Sequence, residues 1–133
     1  MAGLPPIPVQ ISQPGEQLLT MQTNLVDEPI TLINAAGKPG EQEWVPENGG
    51  LKNLQFGLFA GVQGRPEVGS RVVAVRVPFP WVAEPVDGPN RYYIFTECDG
   101  QKLYLEPSPL KIWPPMVTLA DRPQAPWELR GLE

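Results

Sequence analysis

Apolar and polar residues alternate along most of this chain in short runs, and glycine or proline interrupts each run. Between positions 92 and 96 the alternation is that of a half-buried β-strand. Asp99-Gly100 follows, a dipeptide favoured in tight turns between antiparallel strands. The 18 prolines have no backbone N–H for a sheet ladder, so they belong at strand edges and in loops. The pattern predicts an all-β chain with many short strands and no long helix.

The individual strands are predicted wherever an apolar run lies between two turn signals. A further short strand is expected within Gly61–Gly69, where the signal is weakest. The other predicted strands are Val9–Gln13, Gln17–Gln22, Pro29–Ala35, Gln42–Glu47, Leu51–Ala60, Arg71–Val77, Trp81–Pro85, 92–96, Lys102–Leu105, Met116–Ala120 and Trp127–Leu129.

Three similar segments each contain a tryptophan, at Trp44, Trp81 and Trp127, and these tryptophans lie 37 and 46 residues apart along the chain. Each segment consists of an apolar strand, a turn, and a second strand that begins with the tryptophan. A period of 20–50 residues indicates a repeat architecture. Three four-stranded units in one domain predict a β-trefoil, a closed barrel with a hairpin cap, with units at roughly 9–48, 51–87 and 90–133. The three indoles are expected to pack in the barrel core, where each removes ~150–250 Å² from water.

Charge and composition exclude several classes of partner. The formal net charge is −5, and the ten lysines and arginines are scattered, so no basic surface for nucleic acid is expected. No apolar run approaches the ~18 residues of a membrane span, and no secretion signal begins the chain, so a cytoplasmic protein without a membrane partner is expected. The single cysteine, Cys98, agrees with a reducing compartment.

The chain has no histidine, which removes the commonest general base and the histidine-dependent nucleophilic triads. One cysteine cannot form a thiolate zinc site, and no glycine-rich phosphate loop follows a strand. Neighbouring carboxylates such as Asp27 and Glu28 are expected to be solvated charges, not a glycosidase pair across a cleft. The sequence therefore predicts a binding protein without catalytic residues, metal or cofactor.

Several short motifs carry a resemblance to a known family. They are Trp81-Val82-x-Glu84, Gly88-x-Asn90-x-Tyr92-x-Ile94, Asp99-Gly100 and the loop Asn24–Glu28 that leads into a strand. On these residues the chain resembles the fungal β-trefoil serine protease inhibitors of the cospin type. It is also similar in architecture to the mushroom cysteine protease inhibitors called mycocypins and to ricin-type lectins.

The resemblance to the cospin-type inhibitors implies a protease as partner and an inhibitory loop in the first unit. The loop residues are Thr23, Asn24, Leu25, Val26 and Asp27. Trypsin inhibitors of this type have a basic residue where this chain has Thr23. The specificity pocket of trypsin contains a buried carboxylate, and this carboxylate would stay unpaired if the bound loop carried no cation. We therefore expect a serine protease with a small or apolar pocket, and Thr23 or Leu25 as the presented residue.

The similarity to mycocypins implies a second possibility, in which first-unit loops enter the cleft of a papain-type cysteine protease. This would involve Gln13–Glu16 and Ala36–Glu41, with Lys38, Pro39 and Gly40 at the tip of the latter. An ordinary hairpin connection is the alternative interpretation of this segment.

The ricin-type lectins imply a third possibility, a glycan partner. Gln42-Glu43-Trp44 matches their Gln-x-Trp signature, although the other two units lack the glutamine. Trp113 is the one tryptophan outside the repeat, in Lys111-Ile112-Trp113-Pro114-Pro115. Its indole is either an exposed platform for a sugar ring or partner, or a turn aromatic that closes the open end of the barrel.

Overall fold

The structure is a computed structural model that describes residues 4, 7–13, 17–35 and 39–131. In these ranges the chain is all-β, apart from one 3-10 turn at Pro39–Gln42, and no helix is long and apolar enough to cross a membrane. The strands are β1 (Val9–Gln13), β2 (Gln17–Thr20), β3 (Thr31–Asn34), β4 (Trp44–Glu47), β5 (Gly50–Asn53), β6 (Phe59–Gly61), β7 (Val73–Val75), β8 (Val82–Pro85), β9 (Arg91–Cys98), β10 (Gln101–Pro107), β11 (Val117–Ala120) and β12 (Trp127–Gly131).

The strands form antiparallel ladders that divide into a barrel and a cap. In the barrel, β1 pairs with β4 and β12, β9 pairs with β8 and β12, and β4 pairs with β5. The cap consists of three two-stranded ladders, β2 with β3, β6 with β7, and β10 with β11. Isolated bridges join the three ladders to each other, at Pro29–Val73, Thr31–Met116 and Arg71–Thr118.

The three repeat tryptophans lie in the core with at most 1% of their surface exposed, as predicted. Each indole Nε1 donates a hydrogen bond of 2.9 Å to a backbone carbonyl of the second strand of its own group of four. The pairs are Trp44 with Leu19, Trp81 with Ala60, and Trp127 with Leu105. A buried indole N–H without an acceptor would cost about 1–3 kcal/mol, so this bond makes full burial of the ring possible. The repeat seen in the sequence is therefore the recurrence of one buried contact.

The prediction of a single strand over Leu51–Ala60 is wrong. The chain turns after Asn53, whose side-chain Oδ1 accepts the backbone N–H groups of Gln55 and Phe56, at 3.1 Å each. Leu54 is therefore exposed, and the second strand begins only at Phe59. A side chain that accepts backbone N–H groups locally competes with the sheet ladder, and an alternating apolar pattern does not reveal it.

Candidate functional site

Two loops of the cap lie side by side and enclose a pocket of about 270 Å³. One is the connection between β2 and β3, residues 21–30, called here the Leu25 loop. The other connects β10 and β11, residues 108–116, called here the Trp113 loop. The pocket, called the Trp113 pocket, is lined by Met21, Gln22, Thr23, Glu28, Pro29, Thr31, Ile112, Trp113, Pro114 and Met116. The fold thus joins two segments that the sequence suggested separately, one for a protease and one for a glycan.

The Leu25 loop is exposed at its tip and held at its end. Leu25 is 58% exposed, and its backbone N–H donates to Thr23 Oγ1 at 3.2 Å. Asp27 has a φ of 75°, its N–H donates to the Ala74 carbonyl at 2.9 Å, and its Oδ1 accepts from Gln63 Nε2 at 2.6 Å. The loop is therefore tied to the second unit through Asp27, while Leu25 projects into solvent.

The Trp113 loop carries the most exposed of the large apolar side chains that the structure describes. Trp113 is 74% exposed, which answers the question left by the sequence: its ring does not close the barrel. The loop is closed at its base, where the Ser108 N–H donates to the Met116 carbonyl at 2.8 Å. A second bond of 3.2 Å runs from the Leu110 N–H to Ser108 Oγ. The indole therefore stands on a loop with a closed base.

The Trp113 pocket combines apolar residues with several polar groups. Trp113 and Ile112 of the Trp113 loop are among its apolar lining residues, whereas Gln22, Thr23 and Glu28 of the Leu25 loop contribute polar groups. Gln22 Oε1 accepts from Thr31 Oγ1 at 3.1 Å, which orients the amide and leaves its N–H groups to donate. No lysine or arginine lines the pocket. This chemistry suits an uncharged ligand with one apolar face and several hydroxyl groups.

The described part of the alternative loop is a 3-10 turn that is bound to its surroundings. The Gln55 N–H donates to the Gly40 carbonyl at 3.0 Å, and the Met21 N–H and Asn53 Nδ2 donate to the Glu41 carbonyl. A Cβ on Gly40 would lie 2.6 Å from Gln55 Oε1. Lys38 and the segments 14–16 and 36–38 lie outside the described residues, so the prediction of a papain-type contact there stays a prediction.

The glutamine of Gln42-Glu43-Trp44 is buried and makes contacts within the fold. Its Nε2 donates to the Asn34 carbonyl at 2.9 Å and to Thr20 Oγ1 at 3.3 Å. Gln42 thus fixes the chain between β3 and β4 and presents no group to a ligand. This match to the lectin signature is structural.

Glu106 is a buried carboxyl that the sequence did not single out. It is 3% exposed, and its Oε1 has no hydrogen-bond partner. Burial raises the pKa of Glu106 above its ordinary value, against the backbone N–H groups of Gln124 and Ala125 and the Gln13 side chain, which lower it. Within the described ranges no three His, Cys, Asp or Glu residues are close enough to hold a metal ion.

Comparison with known proteins identifies the fold but no family. No family model matches the chain, and a search of curated proteins gives no match. Among solved structures, the chain is similar to the Macrolepiota procera ricin B-like lectin in complex with lactose, with a TM-score of 0.76 and 19% identity over 99% of this chain and 98% of that one.

Two other solved structures show the same architecture. The cytolethal distending toxin from Actinobacillus actinomycetemcomitans has a TM-score of 0.73 and 14% identity over 95% of this chain and 93% of the matched chain. The Polyporus squamosus lectin, bound to the epitope Neu5Acα2-6Galβ1-4GlcNAc, has a TM-score of 0.75 and 14% identity over 98% of this chain and 51% of that one. The prediction of a β-trefoil is confirmed.

Proposed function

We propose that this chain is a carbohydrate-binding β-trefoil without enzymatic activity, and that its Trp113 pocket holds an uncharged sugar. The observation that carries the proposal is the Trp113 ring, 74% exposed in the lining of a pocket to which the Leu25 loop contributes polar groups. Trp113 and its neighbour Ile112, which is 48% exposed, form an apolar patch at the pocket, and contiguous patches of this kind mark sites where a ligand or partner binds. The lectins among the structural relatives add support at the level of the fold.

The binding mode follows from the two kinds of residue that line the pocket, aromatic and polar. The apolar C–H face of a pyranose ring would stack on the indole of Trp113. Its hydroxyl groups would accept from the Gln22 amide and donate to the carboxylate of Glu28. The volume of about 270 Å³ is near the lower bound of ordinary ligand pockets, ~300 Å³, and suits a single sugar ring.

The test is a titration with methyl galactoside, lactose and a panel of neutral glycans, followed by tryptophan fluorescence and calorimetry. The other three indoles are buried, so a shift in exposed-tryptophan emission would report on Trp113. Trp113→Ala should weaken binding by about tenfold or more, equivalent to ~1.4 kcal/mol. Leu110→Ala is the matched control, since Leu110 is 56% exposed on the same loop and does not line the pocket. If the wild-type protein binds none of the glycans in the panel, the proposal is contradicted.

Inhibition of a protease is the second candidate, favoured by the geometry of the Leu25 loop. Leu25 is exposed, and the anchored Asp27 reduces the ordering entropy that insertion into a cleft would cost. An apolar presented residue suits a serine protease of chymotrypsin or elastase specificity, in line with the departure of Thr23 from the basic residue of the cospin-type trypsin inhibitors.

Chymotrypsin, elastase, subtilisin, trypsin and papain would be assayed with peptide substrates. Saturable inhibition that Leu25→Ala weakens at least tenfold would support this candidate. Leu54→Ala, another exposed leucine on a different turn, is the control. The absence of inhibition across the panel would remove it.

A further inference from the structure

A second depression of the cap, of about 690 Å³, lies on the other side of the Leu25 loop. It opens between this loop and the connection of β6 with β7. The lining residues are Asp27, Val62, Gln63, Ser70, Arg71 and Val73. Four of the six are polar or charged, in contrast to the aromatic lining of the Trp113 pocket. The two depressions therefore call for different ligand chemistry.

Two residues that line this depression, Asp27 and Gln63, offer hydrogen-bond acceptors. Gln63 Nε2 donates to Asp27 Oδ1 at 2.6 Å, which leaves Asp27 Oδ2 and Gln63 Oε1 to accept from a ligand. The backbone of Asp27 is itself bound to the Ala74 carbonyl at 2.9 Å. These acceptors join the first and second units and suit the hydroxyl groups of a polyol.

Two other lining residues, Ser70 and Arg71, offer donors. Ser70 Oγ accepts the Glu67 N–H at 2.9 Å, which leaves its O–H to donate. The backbone of Arg71 is held by its bridge with Thr118, while its side chain is exposed. Among the residues that the structure describes, the guanidinium of Arg71 forms no ion pair. A free guanidinium on a fixed backbone matches a carboxylate in two parallel hydrogen bonds.

We propose that this depression, called here the Arg71 site, binds a carboxylated sugar residue such as a uronic or sialic acid. The carboxylate would lie on Arg71 and Ser70, and the ring hydroxyls would bind Asp27 and Gln63. The carboxylate of Asp27 repels a bare anion, so a ligand needs both an acid group and hydroxyl groups. The site shares no residue with the lining of the Trp113 pocket, so it does not rest on the neutral-sugar proposal.

The test compares methyl glucuronide with methyl glucoside, which differ only in a carboxylate against a hydroxymethyl group. Amide resonances of the ¹⁵N-labelled protein would be followed during each titration, with methyl N-acetylneuraminide as a second acidic probe. Either acid should shift the resonances of Gln63 and Arg71, whereas the glucoside should leave them in place. Arg71→Gln should weaken binding of the acid about tenfold or more, because a charge-assisted bidentate contact is lost. Raising the salt concentration should also weaken it.

Arg76→Gln is the matched control, since Arg76 is an exposed arginine just beyond β7 that does not line the site. It should bind the acid as the wild type does. Equal binding of glucoside and glucuronide, equal losses in the two variants, or no shift with either acid would each overturn the proposal. Trp113→Ala should leave acid binding unchanged, and Arg71→Gln should leave neutral-sugar binding unchanged, so the two sites fail or succeed separately.

Discussion

The three units can be compared at two adjacent positions of their second strands. At the first position a backbone carbonyl accepts the tryptophan indole, and the bond measures 2.9 Å in every unit. At the next position the three residues differ, yet each contacts the residue that lies two before the tryptophan. The contacting pairs are Thr20 with Gln42, Gly61 with Phe79, and Glu106 with Ala125.

The difference shows that the indole hydrogen bond is required by the shared barrel, whereas the neighbouring contact is set within each unit. The indole fills the core and must satisfy its N–H, and the fold offers the same carbonyl three times. The neighbouring contact only has to be complementary within its own pair: two polar side chains in the first unit, a glycine under a ring in the second, and a carboxylate on backbone N–H groups in the third. Gln42 is thus paired with Thr20 in the first unit, and the other two units have different pairs at these positions.

The largest effect is expected where the units agree. Trp127→Ala should destabilise the protein by about 3–5 kcal/mol, since it empties a fully buried site and leaves the Leu105 carbonyl without its donor. Chemical denaturation followed by circular dichroism measures this. Trp113→Ala is the matched control, an identical change at an exposed site, expected within ~0.5 kcal/mol of wild type. Similar losses in both variants would contradict the comparison.

The neighbouring contact can be tested in the second unit, where Gly61 lies against Phe79. A Cβ on Gly61 would lie 2.8 Å from both Phe79 Cβ and Val75 Cγ2, so Gly61→Ala should cost about 1–3 kcal/mol by overpacking. Gly131→Ala is the control, because its Cβ would lie 3.7 Å from Ile7 Cδ1, an ordinary contact. A stable Gly61→Ala protein would show that the ring of Phe79 moves freely, and the pairing argument would fail for this unit.

The third unit is tested by removing a charge. Burial raises the pKa of Glu106 above the ordinary value of 4.5, so the native state binds a proton before the unfolded chain does as the pH falls. Wild-type stability should therefore rise as the pH falls through the folded-state pKa, with the gain complete below ~4.5. In Glu106→Gln this contribution is absent.

The measurement is the free energy of unfolding of both proteins between pH 4 and pH 8. The difference between them cancels the other carboxyl groups, which both chains share. The free energy of unfolding of Glu106→Gln, relative to that of the wild type, should be greatest at neutral pH and should decrease toward pH 4.5. A difference that stays constant with pH, or that grows as the pH falls, would show that Glu106 is stabilised as the charged form.

The smallest effect is expected for a contact between units that lies outside the core. Arg65 and Asp99 form an ion pair, and both side chains are more than 60% exposed. Arg65→Gln should change the free energy of unfolding by less than ~0.5 kcal/mol, because water and salt screen exposed pairs. Unfolding at low salt and in 1 M NaCl would check this. A decrease of more than 1 kcal/mol in the free energy of unfolding would show that the ion pair contributes to the stability of the fold.

Prediction from the sequence succeeded where one local rule decided the outcome. The Asp99-Gly100 turn and the strands on either side follow from residue preference and alternation, and both residues have the positive φ that such a turn requires. It failed at Leu51–Ala60, where a single asparagine side chain outweighed the alternating pattern. Turn formation by Asn53 depends on the local hydrogen bonds of one side chain, which periodicity does not record.

The candidate sites could be predicted only in pieces. Leu25 and Trp113 stood out in the sequence as a loop residue and an unpaired tryptophan, but nothing linked them across 88 positions of the chain. Gln22 and Glu28 became candidates only because the cap places them in the lining of the same pocket as Trp113. Arg71 looked like one of ten scattered cations until the Leu25 loop supplied Asp27 beside it.

The sequence by itself determined the all-β class, the threefold recurrence and the burial of three indoles, because alternation and spacing report on which side chains leave water. It also excluded histidine chemistry. Only the tertiary structure decided which loops share a pocket, that Trp113 is exposed while its three counterparts are buried, and that Glu106 lies in the interior. These properties depend on contacts between residues far apart in the chain, and such contacts follow from the closure of the barrel and the meeting of three hairpins at its cap.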